Sequence, residues 1–94
     1  DLILHLDTHQ VQRAGKDITL SSKEYALLSY MMQNAGTVLS RERLEQHIWN
    51  YDYSGGSNVI DVYIRYLRKK IDEGHDIKLI RTVRGAGYVL KADA

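Results

Sequence analysis

The strongest constraint in this 94-residue chain is a change of hydrophobic period across its last third. From Asn58 to Lys70 the sequence Asn-Val-Ile-Asp-Val-Tyr-Ile-Arg-Tyr-Leu-Arg-Lys-Lys has helical spacing. Turning about 100° per residue, Ile60, Ile64, Leu67 and Ile71 fall on one face, with Tyr63 at its border. That face must be buried, and Asn58, Val62, Arg65 and Lys69 lie diametrically opposite, flanked by Asp61, Tyr66, Arg68 and Asp72. Beyond Lys78 the period drops to two. Two β-branched and aromatic runs, split by Arg84-Gly-Ala-Gly87, read as a hairpin whose glycines allow the positive backbone angles of a tight turn.

An isolated Lys/Arg run on a helix is ordinarily a solvated surface. A Gly-Ala-Gly triplet on its own is ordinarily a turn. Side by side they predict more, because a helix has the width to enter the major groove of duplex DNA and a narrow arginine-tipped hairpin can reach the neighbouring minor groove. The outward helical stripe carries suitable groups: guanidinium for guanine, an amide for adenine, a Val methyl for thymine, and ammonium heads for phosphates. The triplet does not fit a nucleotide-phosphate loop, since no helix follows it and the Lys-Ser/Thr ending is missing.

Charge is distributed to match. Residues 58 to 91 hold eight of the thirteen Lys/Arg against four acids, whereas residues 1 to 57 carry five bases and seven acids, so a net charge of +1 conceals a basic C-terminal part. Local excess is what a DNA-facing surface needs.

With 44% hydrophobic residues the chain is expected to form one domain over 1–94, burying roughly 60–65% of its unfolded surface. The absence of cysteine excludes disulfides and thiolate chemistry. His5, His9, His47 and His75 fall on four separate elements without a ligand-like pattern, so no metal and no cofactor are expected. Ser21, Ser22, Ser40 and Ser57 read as caps and loop groups rather than nucleophiles, because no Gly-x-Ser-x-Gly elbow is present, and an enzyme is not expected. Nothing resembles a signal peptide and no apolar run approaches the ~18 residues of a membrane span, which predicts a soluble, cytoplasmic protein. The chain starts at Asp1 without methionine and is expected to be a piece of a longer polypeptide.

Three strands are predicted at Leu2–Leu6, Gln10–Arg13 and Lys16–Leu20, with a turn at Ala14-Gly15. Ser21-Ser-Lys-Glu24 forms a capping box for a helix that Gly36 terminates, with Tyr25, Leu27, Leu28, Met31 and Met32 as core positions. Ser40 caps a second helix from Arg41 to about Trp49, with Leu44, Ile48 and Trp49 inward. Arg43 at its N3 position leaves it without the reciprocal half of a capping box, although Glu42 suits the positive helix end. Asn50 to Ser57 is a polar, aromatic loop suited to contacts. The third helix covers about 57–72. Three strands, three helices and a terminal hairpin define an α+β winged helix-turn-helix with an N-terminal antiparallel sheet, a three-helix core and a β-hairpin wing.

On these motifs the chain resembles the C-terminal effector domain of OmpR/PhoB-type two-component response regulators. The resemblance covers residues 2 to 91. It rests on Leu20-Ser-Ser-Lys-Glu-Tyr-Ala-Leu-Leu28, Val38-Leu-Ser-Arg-Glu-Arg-Leu44, His47-Ile-Trp49, Val59-Ile-Asp-Val-Tyr-Ile-Arg-Tyr-Leu-Arg-Lys-Lys70 and Arg81-Thr-Val-Arg-Gly-Ala-Gly-Tyr88, in that order. It implies a recognition helix whose Asn58, Tyr63, Arg65, Tyr66 and Arg68 face bases or phosphates. To these the helical projection adds Val62 at base edges and Lys69 on phosphate. The resemblance also implies a wing in which Arg84 enters the minor groove with Thr82 and Tyr88 near the backbone. The segment containing Trp49 and Asn50, Tyr51, Asp52 and Tyr53 corresponds to one that meets RNA polymerase in relatives. Other implied features are binding to double-stranded promoter DNA as a tandem dimer, and control by a histidine kinase through a receiver domain that this chain lacks. Tyr66 and Asn58 stand where some relatives have Arg, which is expected to shift sequence preference rather than class. The competing reading is a winged-helix protein-interaction module using Trp49, Tyr51 and Tyr53. The outward Arg65, Lys69 and Arg84 discriminate against it, since protein docking alone does not require them.

Overall fold

The computed structural model describes residues 2–5, 8, 10–48 and 59–91. The elements are β1 (Leu2–His5), β2 (Gln10–Arg13), β3 (Lys16–Ile18), α1 (Ser22–Gln33), α2 (Arg41–Ile48), α3 (Val59–Leu67), a π-helical turn (Arg68–Asp72), β4 (Ile80–Val83) and β5 (Gly87–Leu90). The expected winged-helix order is present. Strands β1, β2 and β3 form an antiparallel meander in that order, and β4 and β5 form a separate hairpin.

Local chemistry explains the start of each element. Ala14 and Gly15 both take positive φ, 53° and 80°, the geometry of a tight two-residue hairpin between β2 and β3. Pairing of β3 ends at Val11↔Ile18, so the strand is shorter than the expected Lys16–Leu20; the chain must leave the sheet to set up the helix cap. At that cap the Ser21 hydroxyl accepts from the Glu24 N–H at 3.2 Å, and the Glu24 carboxylate accepts from the Ser21 N–H at 2.8 Å. The Ser40 hydroxyl accepts from the Arg43 N–H at 3.1 Å and begins α2 with half of such a box, as its sequence requires.

The core lies between the meander and the three helices. Leu27, Leu28 and Met31 from α1, Leu44 and Ile48 from α2, and Ile60, Ile64 and Leu67 from α3 are buried, with Val11 from the sheet and Leu79, Ile80, Tyr88 and Leu90 from the hairpin region. Each such apolar side chain contributes roughly 1.5–3 kcal/mol by leaving water. The stripe read from the sequence therefore faces inward. Trp49, Asn50, Tyr51, Asp52, Tyr53 and the rest of the loop to Asn58 lie outside the described residues.

The third helix is not uniform. The sequence predicts one helix over about 57–72, but at Arg68 the spiral widens, and the Glu73 N–H reaches back five residues to the Arg68 carbonyl at 3.0 Å. An α-helical projection places Asp72 on the outer flank. Widening the turn swings it inward beside Ile71, and it is only 3% exposed. There its carboxylate accepts from Arg13 of β2 at 2.8 Å and from the N–H groups of Leu79 and Ile80 at 3.0 Å each. In the same turn, the Lys70 ammonium lies 2.7 Å from the Glu24 carboxylate on α1.

The hairpin is anchored to the segment between α1 and α2. The Leu39 N–H donates to the Tyr88 carbonyl at 2.8 Å, the Tyr88 N–H donates to the Leu39 carbonyl at 2.9 Å, and the Gly36 N–H donates to the Leu90 carbonyl at 2.9 Å. Gly87 makes this approach feasible. Its φ is +142°, and a Cβ there would sit 2.0 Å from the Leu39 carbonyl oxygen, inside contact distance of a backbone atom.

Two stability predictions follow from this packing. Gly87→Ala should cost about 3 kcal/mol or more, since backbone must move to admit the methyl group. Gly85→Ala, at φ +78° with nothing within 4 Å, should cost about 1–2 kcal/mol from the left-handed conformation alone. Thermal unfolding followed by circular dichroism should rank the two variants in that order. The second prediction concerns Glu24. Burial pushes its carboxyl pKa up, but Lys70 and the Ser21 amide outweigh this and hold it below the ordinary value. A depressed folded-state pKa adds stability above the unfolded value of 4.5 and loses it as pH falls through the lower folded value. Lys70→Met should therefore destabilise by about 1 kcal/mol at pH 7, a modest figure because the ammonium is partly solvated, and by less at pH 3.

Candidate nucleic-acid interface

The face of α3 opposite the core is the exposed one. Arg65 and Lys69 are exposed, Tyr66 is 47% exposed, and Val62 and Tyr63 are half-buried. Tyr63 packs against the core margin as its border position implies, and its ring meets that of Tyr66 edge-on with centroids 5.9 Å apart. At the hairpin, Thr82 and Arg84 are exposed, and Arg84 opens the turn whose Gly85 takes φ +78°. Lys69 and Arg84 make no hydrogen bond or ion pair with another described residue, which leaves both cationic heads available to phosphate. Asn58 lies outside the described residues.

Two of the expected contact residues have other commitments. Tyr88 is buried, 5% exposed, and its hydroxyl donates to the Asp61 carboxylate in the first turn of α3. It was expected near the DNA backbone; its position on β5, turned toward α3, makes it an internal strut. Arg68 was expected on phosphate. It is half-buried, with Nε donating to the Ile80 carbonyl at 3.3 Å, Nη2 donating to the Thr82 hydroxyl, and Cζ 5.6 Å from the centre of the Tyr88 ring. Its fork thus joins helix to wing.

Sequence reasoning missed the residues that organise this surface. The helical projection puts Asp61 only on the flank of the outward stripe, yet its Oδ1 accepts from both Tyr88 and the Arg41 Nε of α2, the latter at 2.9 Å. Burial pushes the Asp61 carboxyl pKa up; the Tyr88 hydroxyl and the Arg41 guanidinium, with a smaller electrostatic contribution from Arg65, hold it below the ordinary value. Burial and then the adjacent carboxylate push the Tyr88 phenol above the ordinary tyrosine value. The one signal available in sequence was the i, i+4 spacing of Asp61 and Arg65. Arg41 and Tyr88 are brought in by tertiary folding alone.

Between the start of α2 and the hairpin lies an open cleft of about 400 Å³, lined by Arg41, Glu42 and residues 82–88. The positive end of α2 and the Arg84 guanidinium lend it positive character, with Glu42 opposing on the same wall. Among the described residues there is no cluster of three or more metal-ligating side chains, and no helix is long and apolar enough to cross a membrane.

Comparison with known proteins places this geometry. Residues 15–90 match the family described as "Transcriptional regulatory protein, C terminal". The chain is 50% identical over 91 residues to the probable transcriptional regulatory protein TcrX of Mycobacterium tuberculosis, a match that takes in 97% of this chain and 38% of TcrX. The chain thus spans under half the length of the curated relatives it matches. Among solved structures, the Thermotoga maritima OmpR/PhoB homologue DrrB superimposes with a TM-score of 0.86 at 32% identity, over 97% of this chain and 42% of that one. The DNA-binding domain of the response regulator AdeR, solved in complex with an intercistronic region, superimposes with a TM-score of 0.86 at 29% identity, over 96% of this chain and 93% of that one. The chain belongs to the transcriptional regulatory protein C-terminal family, the winged-helix DNA-binding domains of OmpR/PhoB-type response regulators.

Proposed function

We propose that this domain binds specific promoter DNA by placing α3 in the major groove and the hairpin at the adjacent minor groove. The observation that carries the reading is the coexistence of an outward face of Arg65 and Tyr66 on α3 and Lys69 on its π-helical extension with an exposed Arg84 at the hairpin tip. Arg65, together with Val62 and Asn58, reads base edges; Lys69, Tyr63 and Tyr66 hold phosphates; Arg84 enters the minor groove. Thr82, engaged by Arg68, presents its exposed side to the backbone. The cleft beneath the hairpin accepts a phosphate at the α2 N-terminus.

The matched segment is 38% of the length of TcrX. That proportion supports a longer parent chain in which this module is the output end and a receiver domain, addressed by a histidine kinase, supplies control. Two copies on tandem half-sites about one helical turn apart would form the active complex. The segment from Asn50 to Tyr53 would contact RNA polymerase. A domain acting in this way works in the cytoplasm, where promoter DNA is reached, and catalyses no reaction.

The test is fluorescence anisotropy on a duplex selected from a random library and on a random duplex, at low and raised salt. Arg84→Ala should weaken the selected complex by about 1–3 kcal/mol. Arg65→Ala should cost a similar ~1–3 kcal/mol and relax preference at one base pair. Lys69→Ala should weaken both duplexes alike and reduce the salt slope by about 1. Absence of salt-dependent binding to either duplex would leave the protein-interaction reading in its place.

A further inference from the structure

We propose that Asp61 is a positioning residue of the DNA interface. Its carboxylate ties the wing and α2 to the first turn of α3, so that helix and hairpin meet adjacent grooves at a fixed separation. This deepens the DNA-binding reading and rests on it.

An acid on this surface needs a physical reason. A carboxylate facing phosphates opposes binding, and the rest of the α3 outward stripe is neutral or basic. Asp61 is held where it is by partners from two other elements: the Arg41 Nε from α2 at 2.9 Å and the Tyr88 hydroxyl from β5. Arg65, one turn further along α3, is close enough to contribute to the electrostatics of the same carboxyl group. Helix α2 and the strand that carries the hairpin tip thus converge on one side chain of α3.

The convergence has a mechanical consequence. Strand β5 is also fastened by backbone pairing with Gly36, Leu39 and β4. Polar links from α3 and its π-helical extension to the hairpin strands include the Asp61–Tyr88 hydrogen bond, the Arg68 donations to Ile80 and Thr82, and the Asp72 carboxylate at the foot of β4. Asp72 fixes the base of the hairpin; Asp61 acts at its β5 side. Preorganised separation matters because a specific duplex presents its grooves at a fixed spacing, and every degree of freedom frozen beforehand is one that binding need not freeze. Random duplexes, held mainly through phosphates, tolerate a looser clamp.

Two measurements separate this proposal from the reading beneath it. The first uses no DNA. The Tyr88 phenol, followed by carbon NMR of labelled tyrosine, should titrate above the ordinary tyrosine value in the native domain and at lower pH in Asp61→Asn; an unchanged titration overturns the proposal. The second compares Asp61→Asn, Tyr88→Phe and the double variant on selected and random duplexes. Tyr88→Phe keeps the buried ring and removes only the hydroxyl. Each single variant should weaken the selected complex about tenfold with little change on random DNA, and the double variant should lose little more than either, as expected of groups acting through one bond. Losses that add in full, losses equal on both duplexes, or an Asp61→Asn gain on random DNA with Tyr88→Phe silent would overturn it, the last marking Asp61 as a simple repulsive charge. If the native domain itself fails to prefer the selected duplex, the DNA reading fails, while the titration still reports on the bond.

Discussion

The buried carboxylate of Asp72 holds three parts of the molecule at one point. One oxygen accepts from Arg13 and from the Leu79 N–H, and the other accepts from the Ile80 N–H. Arg13, itself 1% exposed, also donates to the Ile71 and Ile77 carbonyls, so a guanidinium from the N-terminal sheet closes the end of the recognition helix and the chain leading to the wing. A buried ion pair is a weak stabiliser in net terms, because both charges give up hydration. Breaking one partner is a different matter, costing about 3–5 kcal/mol through the charge left behind. Such a node therefore specifies more than it stabilises: it makes the orientation of β4 relative to α3 the arrangement in which every charged atom of Asp72 is satisfied.

The other acids near the core follow the same logic. Glu24 takes the Lys70 ammonium against α1, and Asp61 takes Arg41 and Tyr88 against α3. Each draws a cation or a polar head toward the framework. Arg65, Lys69 and Arg84 are left facing solvent, so their positive charge is available to a polyanion. A net charge of +1 is thereby compatible with a strongly basic working surface.

What could be read in the sequence was what depends on near neighbours. The Ser21–Glu24 capping box spans three residues, the Ala14-Gly15 turn two, and the Ile60, Ile64 and Leu67 stripe follows from helical period; all three are present in the fold. The motif resemblance identified the family because those local signals occur in a characteristic order. What was not legible depends on distant partners. Arg13 and Asp72 are 59 positions apart, and Asp61 and Tyr88 are 27 apart. Neither pairing leaves a periodic trace. The widening at Arg68 is likewise invisible to a projection that assumes 100° per residue throughout, and it displaced Asp72 from its expected outward position. Exposed α3 residues upstream of the widening, Arg65 and Tyr66, lie where the projection placed them.

The central claim is that helix and hairpin form one clamp spanning two neighbouring grooves. Footprinting both grooves on a single selected duplex tests it most directly, with dimethyl sulfate reporting guanine N7 in the major groove and hydroxyl radicals reporting the sugar edge of the minor groove. The account predicts N7 protection at the half-site centre together with minor-groove protection immediately beside it, the latter vanishing in Arg84→Ala while N7 protection persists. Protection of one groove only, or minor-groove protection indifferent to Arg84, would contradict it.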